Sequence, residues 1–156
     1  MKIKEILEVT MNSKTGAGAV SNNDEVDYFG IRVKMKPSTF LKLAEEMPVD
    51  SEVKQQILKL AQYIKDGGEI GQPFFGIHIP EKWHSGDFTE PAEITNHEGR
   101  HRMEAIILAE GDNPVEVHLF PQYYRNRHIT LEWIKRLNKS IISETGQLIS
   151  GPLFTI

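Results

Sequence analysis

The sequence predicts an α+β domain in which helices flank a mixed β-sheet. Three observations lead there. Apolar residues alternate in some short runs, the strand period, and recur at three- and four-residue spacing in others, the helix period. These runs follow the order strand, helices, strand, strand, helix, strand, helix, not a strict strand–helix repeat. The chain has 156 residues, 39% hydrophobic and 26% charged, which suits one domain with one core. No repeat, low-complexity run or domain boundary is visible, so residues 1–156 read as a single domain.

The elements follow in order. Lys2 to Thr10 alternates loosely and reads as a short strand or an extended lead-in. Asn12 to Asp24 carries Gly16, Gly18, two serines and three asparagines and reads as a loop. Thr15-Gly16-Ala17-Gly18-Ala19 lacks the lysine and spacing of a phosphate-binding P-loop. Val26 to Lys36 is the clearest strand, with Tyr28, Ile31, Val33 and Met35 apolar. Pro37 suits a first helical turn, and Phe40, Leu41, Leu43 and Ala44 give that helix its apolar face until Pro48 ends it. Ser51 is expected to cap a second helix, which runs to Lys65 on Val53, Ile57, Leu60, Ala61 and Ile64. Asp66-Gly67-Gly68 stops it.

Phe74 to Ile79 reads as a strand, Glu81 to Pro91 as a polar loop with Trp83, and Ala92 to Thr95 as a short extended piece. A helix then runs to Ala109 and closes at Gly111. Pro114 to Phe120 alternates as a strand, with Val115, Val117 and Leu119 apolar. Thr130 is expected to cap a last helix carrying Leu131, Ile134 and Leu137. The tail from Ser143 reads as extended, a docking arm. His78 and His118 read as surface residues of strands, and Trp83 and Tyr123-Tyr124 as packing.

Composition narrows the function classes. There is no cysteine, which removes disulfides, thiolate metal sites and a cysteine nucleophile. Nothing points to haem or flavin. No apolar run approaches the roughly 20 residues of a membrane span, and Met1-Lys2-Ile3-Lys4-Glu5 does not open a signal peptide. The expectation is a cytoplasmic protein with no membrane partner. A net charge of −4 argues against broad non-specific nucleic-acid binding but leaves room for a local basic patch.

The chemistry concentrates in Asn96-His97-Glu98-Gly99-Arg100-His101-Arg102-Met103-Glu104-Ala105. A glycine before a helix lets backbone N–H groups face a ligand, and the helix N-terminus favours anions. Arginines beside it can grip phosphate oxygens through two nitrogens. Gly99, Arg100, His101 and Arg102 therefore read as a phosphate cradle. The same letters spell His-Glu-x-x-His, with His97 and His101 as alternative zinc ligands and a third ligand from Glu116, His118, His128 or Glu132. That alternative needs helix through His97, which Gly99 disfavours by about 1 kcal/mol against alanine. A third reading makes the box structural, with Gly99 in a tight turn and Arg100 and Arg102 paired with Glu98 and Glu104. A second basic cluster, Arg125-Asn126-Arg127-His128, reads as solvated surface or as a nucleic-acid contact through Arg125, Arg127 and His128.

From about residue 64 to residue 120 the chain resembles the ParB/sulfiredoxin superfamily. Gly67-Gly68 is followed by Gln72-Pro73-Phe74; the box Glu98-Gly99-Arg100-His101-Arg102 with Ala105 follows, then Gly111 and Pro114-Val115-Glu116-Val117. Gly99 to Arg102 matches the Gly-x-x-Arg box of ParB-like members, and His101-Arg102 the His-Arg pair of sulfiredoxin-like and free-serine-kinase-like members. Residues 1–50 and 121–156 stand outside it as elaborations. Sulfiredoxin's reactive cysteine is absent, a second nucleotide motif has no match, and the DNA-binding helix-turn-helix that follows in full-length ParB is not present.

The resemblance implies a ParB/sulfiredoxin-like sheet and nucleotide phosphates at the box, a nucleoside triphosphate with Mg2+ among them. It also implies the stand-alone kind of domain found in bacteriophages and mobile elements, in a bacterial or phage-infected cytoplasm. The expected partner is a nucleotide or a nucleic-acid phosphate, in a homodimer or a larger phage complex. If the chain is an enzyme, phosphoryl transfer, nucleotide hydrolysis or nuclease chemistry fits, with Glu98 and His101 as catalytic candidates. A carboxylate facing the cradle could come from Asp24, Glu25 or Asp27. The alternative is a non-enzymatic structural or regulatory module associated with DNA.

Overall fold

Ile31, Val33 and Met35 alternate with Arg32 and Lys34, and they form strand β1 (Ile31–Met35) with the apolar three buried. In the computed structural model the described residues are 30–122 and 130–156. The expected lead-in strand, the Gly-rich loop, the first part of the Val26–Lys36 strand and Tyr123 to His128 lie outside them.

Helix α1 (Pro37–Leu43) starts on the proline and buries Phe40 and Leu43. Helix α2 (Ser51–Lys65) is capped one residue earlier than expected: Asp50, not Ser51, accepts the Val53 N–H at 2.8 Å. Strand β2 (Phe74–His78) leads through a 3-10 turn (Glu81–Ser85) to β3 (Glu93–Glu98). Helix α3 (Arg100–Glu110), strand β4 (Val115–Gln122) and helix α4 (Leu131–Lys139) follow. Thr130 caps α4 as its sequence suggests, its hydroxyl accepting the Trp133 N–H at 3.1 Å. Two short strands, β5 (Ser140–Ile142) and β6 (Leu148–Ser150), complete a six-stranded sheet in the order β1-β4-β2-β3-β5-β6. The β4–β2 and β3–β5 pairs are parallel and the other three antiparallel. The fold is the α+β class read from the sequence.

The sheet curls. Thr155 pairs with Lys34 of β1, about five residues after β6 ends at the opposite edge. Five residues reach at most ~17 Å, whereas the outer strands of a flat six-stranded sheet lie roughly 24 Å apart. The tail therefore docks, burying Leu153 and Phe154 on the way.

The two sheet faces differ. On one, Ile31, Val33, Val117, Leu119, Phe75, Ile77 and Ile94 meet Phe40, Ile57, Ala61, Met103, Ile106 and Leu137 in a single core. Phe40 stacks on Phe75 with ring centroids 4.2 Å apart. On the other, cross-strand register sets Glu98, Phe74, His118 and Arg32 in one row across β3, β2, β4 and β1. Paired residues share a face, so this row runs from the glycine–arginine box across the sheet. None of its members belongs to the main core.

Candidate functional site

The box straddles the end of β3 and the start of α3. Gly99 makes the turn with φ +109°, a conformation side chains rarely adopt. A Cβ there would lie 2.7 Å from the Pro73 side chain. Glycine is thus required twice, by backbone angle and by the close approach of Pro73.

Helix α3 begins at Arg100, so its first amides have no carbonyl four residues back within the helix. Among the described residues no side chain caps it, and its first turn carries no acidic residue. That turn carries Arg100, His101 and Arg102 instead. Positive side chains beside the positive end of a helix dipole are unfavourable unless an anion joins them.

The side chains divide in two. Arg100 turns into the fold: its Nη1 donates to the carbonyls of Leu41 (3.0 Å) and Ala44 (3.2 Å), and its Nε lies 3.8 Å from Glu104. It braces the end of α1, which leaves it out of a phosphate grip. His97 is likewise committed, its Nδ1 2.6 Å from Glu144 Oε1, with only 10% and 13% of the two side chains exposed. Glu144 Oε1 also accepts the Glu45 N–H at 2.6 Å. Arg102 and His101 are the other pair. Arg102 Nη2 lies 3.0 Å from Glu98 Oε1, and that carboxylate is half exposed. His101 Nε2 is buried with no hydrogen-bond partner among the described residues.

The zinc reading fails on this geometry. It needs His97 and His101 four apart on one helix, but His97 sits on β3 and the turn at Gly99 separates them. The reason is the glycine itself, which ends the strand and starts the helix. Among the described residues no three His, Cys, Asp or Glu side chains converge as a metal would require. The candidate third ligands Glu116 and His118 serve elsewhere on the sheet, and His128 lies outside the described residues.

His118 is a second correction. It reads as surface in sequence, yet it is fully buried, beside Phe120 (centroids 5.8 Å) and in register with Arg32. Burial, with a smaller contribution from the Arg32 charge, lowers its pKa to about 4, so the imidazole is neutral at pH 7. Phe74 meets Phe120 edge to face at 5.6 Å. Glu116 sits nearby, 3.3 Å from Arg32 and 2.5 Å from the Gln72 side-chain amide. A strand pattern with both faces buried would have flagged this cluster, but Glu116 and His118 imitate a solvated face.

Comparison with protein-family models, curated proteins and solved structures found no match to this chain.

The two arginines meet the partners that the structural reading of the box requires, Arg102 with Glu98 and Arg100 with Glu104. Magnesium takes carboxylate and phosphate oxygens. Glu98 is the carboxylate of the box, and its Oε1 already holds Arg102. Arg125, Arg127 and His128 lie outside the described residues. Among those residues no helix is long and apolar enough to cross a membrane.

Proposed function

We propose that the chain binds a phosphate group of a nucleotide or nucleic acid at the N-terminus of α3, as its resemblance to ParB-like domains implies. One observation carries the reading: an uncapped helix start whose first turn holds Arg100, His101 and Arg102 and no acidic residue. An anion there satisfies the free amides and offsets the repulsion between dipole and side chains. The amides of His101 and Arg102 and the Arg102 guanidinium hold it, and the His101 imidazole lies beside it. Glu98 holds Arg102 in place until the ligand arrives. Arg100 positions the helix through the α1 carbonyls. Binding is the function; a phosphoryl-transfer role for Glu98 and His101 would require Glu98 to leave Arg102.

Thermal melting with ATP, CTP, GTP, ADP and a short single-stranded DNA, each with and without Mg2+, tests this. A ligand at about ten times its Kd raises Tm by roughly 3–6 °C in a chain of this size. Arg102→Ala abolishes the shift; because the Arg102 side chain is 14% exposed, its truncation also lowers the ligand-free Tm, and the shift is read against that of the variant without ligand. Absence of any shift at millimolar ligand rejects the reading.

A further inference from the structure

A second concavity has no part in the box. It lies between the 3-10 turn, the loop from Phe88 to Pro91, the end of α4 and the start of β6. Its volume is about 210 Å³; a cavity of roughly 150 Å³ suffices for a benzene ring. Trp83, Phe88, Pro91 and Leu148 supply apolar wall, and Arg136 and Lys139 supply charge.

The walls are built differently. Trp83 is fixed: it is 3% exposed, its indole N–H donates to the Glu90 carbonyl at 2.7 Å, and Phe88 packs edge-on at 5.4 Å. Arg136 is held over the Phe88 ring with its guanidinium carbon 4.7 Å from the centroid. Its Nε is engaged by Glu132 at 2.9 Å, and its two terminal nitrogens make no hydrogen bond among the described residues. Lys139, three residues on and so on the same helix face, makes no ion pair among the described residues and is exposed. Leu148 is 61% exposed at the rim. Lys139, and Arg136 with two nitrogens left over from its pairing to Glu132, thus border a half-open, ring-sized recess whose wall is part apolar and part polar. A neutral apolar group would leave them unused, and a bare inorganic anion would leave the recess wet.

We propose that this groove binds a small aromatic carboxylate. Its ring lies against Trp83, Phe88 and Leu148, and its carboxylate meets Arg136 and Lys139. An arginine preoriented by a ring and a carboxylate loses little freedom on gripping an anion. The site is smaller than the usual 300–1,000 Å³ of drug-sized pockets, so affinity in the millimolar range is expected.

Titration with phenylacetate, followed by the Trp83 indole N–H in two-dimensional NMR, tests it. Phenylacetate should give saturable shifts centred on Trp83 and Leu148. The neutral isostere 2-phenylethanol should bind at least about fivefold more weakly, the worth of one charge-assisted contact. Lys139→Gln, at an exposed position where folding is undisturbed, should weaken phenylacetate alone. Arg136→Gln should do so more strongly, with thermal melting confirming the fold. Equal binding of alcohol and acid, saturation unchanged in both variants, or no saturable shift overturns the proposal.

Discussion

Among the described residues, three of the four helices begin with an anion or hydroxyl on their free amides, and the fourth does not. Asp50 caps α2 and Thr130 caps α4 from the adjacent chain. Helix α1 borrows its partner from far away: Asp112 accepts from Ser38 N at 2.8 Å and Ser38 Oγ at 2.6 Å. Those same two bonds, side chain first, hold the Asp112 pKa below the usual carboxylate value. Helix α3 has Gly99 instead, followed by arginine, histidine and arginine. A chain that caps its other helices has the means to cap this one. The difference teaches that at α3 the left-handed turn out of β3 and the approach of Pro73 demand glycine, which leaves that start without a side-chain cap among the described residues.

The sharpest way to break the comparison is at the glycine. Gly99→Ala should destabilise the protein by about 3 kcal/mol, the combined cost of left-handed strain and a steric clash. Urea denaturation measures it. A cost below about 1 kcal/mol would mean that the turn at Gly99 relaxes freely and that its geometry constrains nothing.

The next effect belongs to His118 on the row leading from the box. A histidine whose folded pKa is lowered is neutral in the native state and charged when unfolded in acid, so protons favour unfolding. Its stability contribution is complete above the unfolded pKa near 6.5 and is lost as pH falls toward about 4. The full loss is about 3 kcal/mol, from the size of that shift. Denaturation curves at pH 7 and pH 4.5 should show most of it, and His118→Gln should flatten that part of the pH profile. A profile unchanged by the substitution would show that His118 carries no such linkage.

The caps come third. Asp50→Ala and Thr130→Ala should each cost about 1 kcal/mol, and neither should alter phosphate binding. The smallest effect sharpens the contrast most. Glu98→Gln removes the competitor for Arg102 and should tighten phosphate binding about threefold, with stability nearly unchanged. Isothermal titration would detect it, and weaker binding instead would make Glu98 part of the grip.

Much of the fold was legible because period carries it. Ile31, Val33 and Met35, or Ile57, Ala61 and Ile64, declare strand and helix by spacing alone. Strand β5 was not anticipated and β6 only as part of an extended tail, since three residues are too few to show a period. Gly99 was legible as a turn residue; the split between Arg100 and Arg102 was not. Neighbouring helix positions point about 100° apart, so which arginine faces the fold depends on where α1 ends. Nor could sequence join Trp83 to Arg136, which line one groove although they are far apart in the chain.

The sheet's curl has a kinetic side. Lys34 N donates to the Thr155 carbonyl at 2.7 Å and Thr155 N returns a bond to the Lys34 carbonyl at 2.9 Å. The pair joins segments from opposite ends of the described chain, so closing it early would cost the most loop entropy. The β5–β6 hairpin, a local piece, can form first. A clasp that closes late would add nothing to the folding barrier. Weakening it should leave the refolding rate almost untouched and quicken unfolding, so the tail governs how long the native state persists once made.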